Sequence, residues 1–312
     1  MIESTLSESS DTTSAARRIR LPRPFIALLA AVGASGIGNG VVLVAFQLLA
    51  SRLTGRDTQL VSGVVVADTL PNLFNLHIGA VLDRVDRRRL VVATEWIRCV
   101  VLVAFAVYVL VDPRPSIWLL FVTVFLAGLG QTIVYTASQV VVGELVPRDD
   151  QLARANGLLG SVEIGFELMA GQVLGGLLIA VAASLPFFVD GASFVASAVL
   201  LGLAYPRRLP VPLDAAPRAS VHREIRDGLR YFFADPTLRR IAGVISTFAI
   251  CQGAVFGVTV VHLQRSAHLG EVGIGVLMGL GAAGGVVGGM SAGWVDRHAS
   301  VATTLTAAGV VV

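Results

Sequence analysis

The sequence predicts an all-α integral membrane protein, in which a bundle of helices crosses a lipid bilayer several times. Of the 312 residues, 54% are hydrophobic and only 14% are charged, whereas about a quarter of the residues in a soluble domain are charged. The apolar residues form long runs, and about 20 such residues suffice to cross the bilayer. The arginines are concentrated between alternate runs, as expected for loops that stay on one side of a membrane.

The apolar runs predict eight complete spans and the beginning of a ninth. The spans are expected at residues 25–50, 59–81, 90–111, 116–142, 157–183, 185–204, 239–262 and 271–293, followed by an incomplete run at 299–312. Nineteen arginines lie on the N-terminal side of the predicted topology and four on the other side. Because basic loops favour the cytosol, we expect a multi-pass protein of the inner (plasma) membrane with a cytosolic N-terminus.

Two groups of spans are expected, joined by a cytosolic linker. The expected segments are a disordered cytosolic tail at 1–24, an N-terminal six-helix bundle at 25–204, the linker at 205–238 and a partial C-terminal bundle at 239–312. In the linker, four apolar residues recur at helical spacing: Ile225, Leu229, Phe232 and Phe233. This pattern fits an amphipathic helix at the cytosolic membrane surface, and a soluble linker helix fits it equally well.

The composition argues against several classes of function. Every basic residue is Arg and the chain contains no Lys, so it has no Walker A lysine and no Schiff-base amine. Because the arginines lie in separate loops, they indicate membrane topology and not nucleic-acid binding. The five histidines are scattered and show no H-E-x-x-H pattern. We therefore expect neither an enzyme nor a metal or other cofactor.

One charged loop, Ile78-Gly-Ala-Val-Leu-Asp-Arg-Val-Asp-Arg-Arg-Arg-Leu90, is expected between spans two and three. Its notable residues are Gly79, Asp83, Arg84, Arg87 and Arg88, and a degenerate copy between spans eight and nine contains Gly293, Asp296 and Arg297. The glycine permits close helix approach, and the acid can accept from a facing helix N-terminus. The arginines can pair with acids at neighbouring helix ends, such as Glu144. Such pairs would latch the two halves together in one state, or the arginines would serve only as topology anchors.

The loop resembles the signature loop of the major facilitator superfamily, G-x-x-x-D-R-x-G-R-R, with Asp86 where that family usually has Gly. Two copies in matching places are typical of a duplicated transporter. Five further segments are similar to the subgroup that contains the enterobactin exporter and the macrolide efflux proteins: 94–98, 144–148, 151–158, 226–231 and 235–239. The resemblance implies a twelve-span fold, of which this chain supplies about three quarters, and proton-driven export of small amphipathic molecules.

Span five contains a segment similar to the antiporter motif of that family, G-x-x-x-G-P-x-x-G-G. The segment is Gly171-Gln-Val-Leu-Gly-Gly176, in which Gln172 replaces the Pro, and Glu167 replaces the first Gly. A proline would kink the helix, whereas Gln would not. This difference weakens the antiporter assignment without removing it.

Charged side chains inside the spans are candidates for function, because each costs about 2.5–3.5 kcal/mol at mid-bilayer. They are Asp68, Glu95, Arg98, Glu163, Glu167 and Asp190. Glu163 and Glu167 share one helix face, and two close carboxylates in a low dielectric do not both ionise readily. We expect at least one of them to couple transport to proton binding. The alternative is a structural role as a partner of another residue, such as Arg98.

The remaining polar residues of the spans suggest a cavity and an ion pair. Asp68 is a candidate for binding a proton or a cationic substrate, or for tying span two to a neighbour. It is expected on one face of span two with Asn72, Asn75 and Gly79, where Pro71 is expected to bend the helix. Further candidates for substrate contact are Asn39, Gln47 and Gln131. Glu95 and Arg98, three residues apart, are expected to form a structural pair. Asp190 is expected early in span six, near the outer surface, where a role at the helix start and a role in transport are equally open.

The sequence and the resemblance together predict a proton-coupled antiporter that exports drugs or siderophore-like compounds by alternating access. Its expected partners are a small-molecule substrate, protons and the lipid bilayer, with no nucleic acid, and the protein is expected to act as a monomer. Two alternatives stay open. One is a membrane subunit energised by a separate ATPase, and the other is a non-transporting fragment, because the chain ends within the ninth apolar run.

Overall fold

A computed structural model describes residues 22–82, 84–112, 114–146, 149–205 and 221–283, and all regular structure within these ranges is helical. In this part of the chain, seven helices are long and apolar enough to cross a membrane. They are Arg23–Leu53, Thr58–Leu82, Arg87–Val111, Ile117–Leu145, Ala155–Val181, Leu185–Ala204 and Pro236–Ser266, here called spans one to seven. A further apolar helix, Glu271–Ala283, is the described part of span eight. The predicted class of an all-α membrane bundle is confirmed.

Several predicted segments fall outside the described residues or have different bounds. Residues 1–21 of the predicted tail, the ninth run at 299–312 and the second loop copy with Gly293, Asp296 and Arg297 lie outside the described part of the chain. Arg23 and Pro24, which were assigned to the tail, already belong to span one. Before span five, the helix begins at Asp149, about two turns earlier than predicted.

Carboxylates cap three of the helices. Asp57, Asp86 and Asp235 each accept a hydrogen bond from a backbone N–H in the first turn of spans two, three and seven, respectively. An acceptor at this position satisfies an otherwise unpaired N–H and is favourable near the positive end of the helix dipole. Asp86, which replaces the usual glycine of the family loop, is therefore the N-cap of span three.

Two spans are interrupted by irregular turns. Span two changes to a 3₁₀ helix at Leu70–Phe74, where Pro71 lacks the N–H that an α-helix needs. Span five changes to a π-helix at Ile164–Gly171, immediately before Gln172. The sequence predicted an irregularity at Pro71 but none in span five, because a π turn has no residue signature as clear as proline.

The described helices contain two apolar clusters. One cluster includes the rings of Phe46, Phe105 and Phe187, which contact one another in tilted and edge-to-face arrangements with centroids 4.9–5.9 Å apart, and it extends to Val260 and Ile274 of spans seven and eight. The other includes Phe25 and Leu28 near the start of span one. Buried polar side chains, here called the polar layer, lie along span one and spans three to six. Large apolar side chains on the outside of the bundle are positioned to contact lipid: Val107, Leu110 and Trp118 are among those exposed.

Spans one and five approach each other closely through two glycines. A Cβ atom built on Gly40 would lie 2.9 Å from the Cα atom of Gly171 and would also overlap the backbone carbonyl of Glu167. Small residues allow such backbone contact in membrane helices. The contact fixes Glu167 against span one.

A separate helix, Val221–Ala234, occupies the second part of the linker and ends two residues before span seven. The rings of Phe232 and Phe233 contact each other with centroids 5.3 Å apart, and Leu229 and Phe233 are exposed. The side chain of Ile225 and residues 206–220 lie outside the described part. The helix that the spacing predicted in the linker is therefore present. Its location at a membrane surface stays a prediction.

Candidate functional site

Arg98 is the centre of the buried polar layer. Its guanidinium lies 3.2 Å from the Glu95 carboxylate and donates a 2.6 Å hydrogen bond to Asn39 Oδ1 in span one. Ser197 in span six donates to the other Glu95 oxygen at 2.7 Å. Arg98 and Glu95 are only 3% and 0% exposed, and the Phe194 ring lies 3.8 Å from the guanidinium carbon. The expected Glu95–Arg98 pair is therefore present, and it connects three spans.

Further acids surround this pair. Arg98 exerts an electrostatic attraction on the carboxylates of Asp68, Glu167 and Asp190. A cleft in the polar layer is lined by Asn39, Asp68, Arg98, Gln131 and Glu167, together with apolar side chains. The structure thus brings together candidates from spans one to five. Within the described residues the acids of this layer outnumber its single arginine, so Arg98 cannot form a close ion pair with all of them.

Glu167 lies in the π turn of span five. It accepts a hydrogen bond of 3.2 Å from Gln131 Nε2 in span four, and it experiences electrostatic repulsion from Glu163. Both glutamates line a second cleft, which also contains Asn39, Arg98 and Gln131. A π turn changes the angular spacing of side chains and is frequent at functional sites. The two glutamates remain close enough to interact, as their four-residue spacing suggested.

The polar face of span two borders a third cleft. This cleft has a volume of about 220 Å³ and is lined by Asp68, Asn72, Asn75, Gly128, Gln131, Thr132, Tyr135 and Glu163. Thr132 donates to Asn72 Oδ1 at 3.2 Å, and Thr136 donates to Asn75 Oδ1 at 3.3 Å. These asparagines therefore line a cavity and also tie span two to span four.

The structure contradicts one sequence-based expectation and adds detail to two others. Gly79 makes no close helix contact, because a Cβ atom added there would have no neighbour within 4 Å among the described residues. Gln47 is completely buried and does not line the three clefts described above, so its contact with a substrate stays a prediction. Asp190 lies early in span six, which begins at Leu185 as predicted; it is 0% exposed and accepts a hydrogen bond from Ser193.

The charged loop is fastened within the N-terminal bundle. Arg87 lies 2.7 Å from Glu144 at the end of span four, which is the pairing that the sequence suggested. Arg88 donates two hydrogen bonds, of 3.0 and 2.7 Å, to the Gly202 carbonyl near the end of span six. Both contacts join spans of the same half. The expectation that the Arg87–Glu144 pair latches the two halves together is therefore wrong, since Glu144 belongs to the same bundle as the arginine.

Several residues of the site were not found by sequence reasoning. Ser197, Phe194 and Thr132 contact Glu95, Arg98 and Asn72, respectively. Isolated serines and threonines are common in membrane helices, where their hydroxyls often bond to the backbone of the same helix. Their partners depend on the rotation of neighbouring helices, which a single sequence does not specify. No group of residues suited to a metal ion is present in the described ranges.

The helical bundle, its buried ionisable layer and its charged loop define a multi-pass membrane protein of the transporter type. The chain belongs to the major facilitator superfamily, whose family model matches residues 28–312. This match confirms the family resemblance of the charged loop. Members of this family are transporters and not enzymes, in agreement with the expectation from composition.

Three curated relatives are exporters by name. The chain is 28% identical over 296 residues to the multidrug efflux pump Tap of Mycolicibacterium fortuitum, an alignment that covers 91% of this chain and 70% of Tap. It is 22% identical over 255 residues to the putative bacilysin exporter BacE of Bacillus subtilis, covering 81% of this chain and 62% of BacE. For BacE of Bacillus amyloliquefaciens, the identity is 22% over 240 residues, covering 77% and 58%. The chain thus spans between 58% and 70% of the length of these relatives.

Proposed function

We propose that this chain is part of a secondary transporter that exports small amphipathic molecules in exchange for protons, by alternating access. The observation that carries the proposal is the cluster of carboxylates around Arg98 in the interior of the bundle. Ionisable groups inside a membrane protein are costly to insert and are typical of proton and substrate pathways. The efflux activities in the names of Tap and BacE support the direction of transport.

The proton-coupling candidates are Glu163, Glu167 and Asp68. Glu163 and Glu167 repel each other when both are ionised, and a bound proton or a bound organic cation would relieve that repulsion. Protons and a cationic substrate would then compete for the same carboxylates. This competition is the simplest way for the inward flow of protons to drive the outward release of a substrate.

The substrate-contact candidates are Asn39, Asn72, Asn75 and Gln131, because they line the clefts next to these acids. Gln131 has a specific role in this scheme. Its amide N–H donates to Glu167, so a substrate that displaces Gln131 would change the environment of a proton-coupling candidate. Glu95 holds Arg98 in place from within the same span.

We infer that the charged loop makes the N-terminal bundle rigid. Arg87 and Arg88 fasten the loop to the ends of spans four and six, so that six spans can rock as one body against the second half. In this scheme the protein is a monomer in the inner membrane, its N-terminus is cytosolic, and residues 205–238 form the linker between the halves. The roles of Gly79, Asp83 and Arg84 in gating also remain part of the proposal.

The proposal is tested with the full-length protein in membrane vesicles that carry an imposed pH gradient. Efflux of a fluorescent cationic dye is measured for the parent protein and for Glu163→Gln, Glu167→Gln and Asp68→Asn. We expect gradient-driven efflux to be lost in at least one variant and to proceed without ATP in the parent. Asp112→Asn, at the end of span three and outside the polar layer, is the matched control and should retain activity.

Unchanged efflux in all three variants would overturn the assignment of the coupling residues. Efflux that requires ATP and does not depend on the pH gradient would overturn the proposal of secondary transport. It would favour a membrane subunit energised by a separate ATPase.

A further inference from the structure

Spans of the two halves are joined by polar contacts at the end of the bundle where span one finishes, here called the outer end. Ser51, near the end of span one, donates a hydrogen bond to Gln264 of span seven. In the next position, Arg52 forms a salt bridge to Glu271 at the start of span eight, with N···O distances of 2.5 and 2.7 Å. Consecutive residues of span one therefore bind two different spans of the second half.

Arg52 also reaches span five. Its guanidinium donates a 3.0 Å hydrogen bond to the Ile179 carbonyl, which lies in the last turn of that span. A single side chain thus links spans one, five and eight. The Arg52 and Glu271 side chains are 38% and 24% exposed, so water can compete for both groups. A pair of this kind is weak enough to form and break repeatedly.

Two further contacts between the halves lie along span two. Together with the contacts of Ser51 and Arg52, they are here called the outer seam. Arg265 donates a 2.7 Å hydrogen bond to the Arg56 carbonyl in the turn before span two. Deeper in the bundle, Ser62 donates to the Gly257 carbonyl of span seven at 2.9 Å. These two contacts, like Ser51–Gln264 and Arg52–Glu271, join residues far apart in the sequence, with one partner in the first half and one in the second. The Arg52–Ile179 contact lies within the first half.

Glycines bring spans five and eight together below the seam. A Cβ atom on Gly176 would lie 3.0 Å from the Cα atom of Gly275, so the two backbones are in direct contact. The same two helices also meet through side chains, because a Cβ atom on Gly279 would lie 2.6 Å from Val173 Cγ2, and Ile179 and Ile274 belong to one buried apolar cluster. Opening the seam therefore separates an apolar contact as well as the polar contacts.

Gln47 lies one helical turn inward from Ser51 on the same face of span one. It is 0% exposed, and among the described residues neither of its amide atoms has a hydrogen-bond partner. A buried amide without partners is rare, because its desolvation is uncompensated. The side chain would regain hydrogen bonds if the seam above it opened to water or to a polar ligand.

We propose that the Arg52–Glu271 pair, supported by Ser51–Gln264 and Arg265–Arg56, is the outer gate of the transport pathway, and that Gln47 contacts the substrate on the outer side when the gate is open. The inference rests on the proposed alternating-access function. In the structure the contacts of the gate are formed, and the Gln47 side chain is inaccessible to water. When the gate opens, water replaces the direct contacts between these side chains. The Gln47 amide is then exposed and can donate hydrogen bonds to, and accept them from, a substrate that leaves the protein.

The gate is tested by cysteine labelling of the full-length protein in right-side-out membrane vesicles. Gln47→Cys is introduced after Cys99 and Cys251 have been replaced by Ser, and its reaction rate with a membrane-impermeant maleimide is measured. We expect slow labelling in this parent and several-fold faster labelling after Arg52→Glu or Glu271→Arg. The double variant Arg52→Glu/Glu271→Arg should return to the slow rate, because the ion pair is restored with reversed polarity.

Arg114→Glu is the control, because it reverses a charge in an outer loop that is not part of the seam. Equal labelling rates in the parent, the single variants and this control would overturn the gate. So would a double variant that is labelled as fast as the single variants. Labelling requires no transport, so these outcomes are independent of the dye-efflux experiment: a working gate without proton-driven efflux would reject only the proposed coupling.

Discussion

At the scale of single residues, the buried pair of Glu95 and Arg98 organises the interior of the N-terminal bundle. Both side chains are almost completely inaccessible to water, and both have a second polar partner on another span, Ser197 and Asn39, respectively. Charges in a low dielectric are tolerated when they are paired and hydrogen-bonded. The pair therefore has a structural role in positioning the helices as well as an electrostatic influence on nearby acids.

Removing one member of this pair should destabilise the protein strongly. We expect Arg98→Gln to lower the free energy of unfolding by about 3–5 kcal/mol, because Glu95 would remain buried without its countercharge. The measurement is thermal unfolding of the purified full-length protein in detergent. The double variant Glu95→Gln/Arg98→Gln should be less destabilised than Arg98→Gln alone, since it leaves no uncompensated charge.

Arg114→Gln, which changes an exposed arginine in a loop, is the control for that experiment and should have little effect. If the double variant were as unstable as Arg98→Gln, the loss would come from packing against Phe194 and not from an unpaired carboxylate.

At the scale of secondary-structure elements, the shapes of spans two and five decide where the candidate residues meet. The 3₁₀ turn at Leu70–Phe74 follows from proline, whereas the π turn at Ile164–Gly171 lies where span five packs against span one through Gly171. Because the backbone of Glu167 is in contact with Gly40, the close approach of the two helices also fixes the position of that acid.

This contact predicts different effects for two glycines. Gly40→Ala should destabilise the protein by about 1–3 kcal/mol, because the new methyl group overlaps the backbone of span five and must push the helices apart. Gly157→Ala, near the start of span five, meets nothing within 4 Å among the described residues. It should be neutral or stabilising by up to about 1 kcal/mol, since Ala is the better helix former.

Thermal unfolding in detergent measures both changes, and dye efflux shows whether the shift of span five also affects activity. Equal destabilisation by the two substitutions would contradict the close contact between spans one and five.

At the scale of the whole molecule, the two ends of the bundle differ in which spans the described arginine contacts join. At the inner end, arginines of the charged loop fasten spans of the same half to one another. At the outer end, Arg52 and its neighbours fasten the first half to the second. One half can therefore remain rigid while the seam between the halves opens.

The predicted membrane topology gives a test for the whole chain. In a background without Cys99 and Cys251, a cysteine at Arg114 should react with an impermeant maleimide added to intact cells. A cysteine at Arg89, whose side chain is 90% exposed, should react only after the membrane is permeabilised. Reversed accessibility would show that the N-terminus faces the outside, and the arginine distribution would then have predicted the wrong orientation.

Much of the fold follows from patterns that need no tertiary information. Apolar length predicted the approximate bounds of the seven spans that the structure describes in full, and i, i+3 spacing was sufficient to pair Glu95 with Arg98. Four-residue spacing placed Glu163 and Glu167 together. Predictions failed where the outcome depended on a neighbouring helix, as for the close approach expected at Gly79 and the latch between halves expected of Arg87 and Glu144, because the rotation and depth of a helix are set by its packing partners.

The sequence by itself determined that the chain enters a membrane repeatedly, which loops carry the positive charge, and which spans contain ionisable groups. These properties depend on composition and local periodicity. Only the tertiary structure decided that Arg87 binds within its own half, that Arg52 crosses to the other half, and that the acids gather around Arg98. The physical reason is that hydrogen bonds and ion pairs act over a few ångströms, and only the packed helices bring residues distant in the sequence within that range.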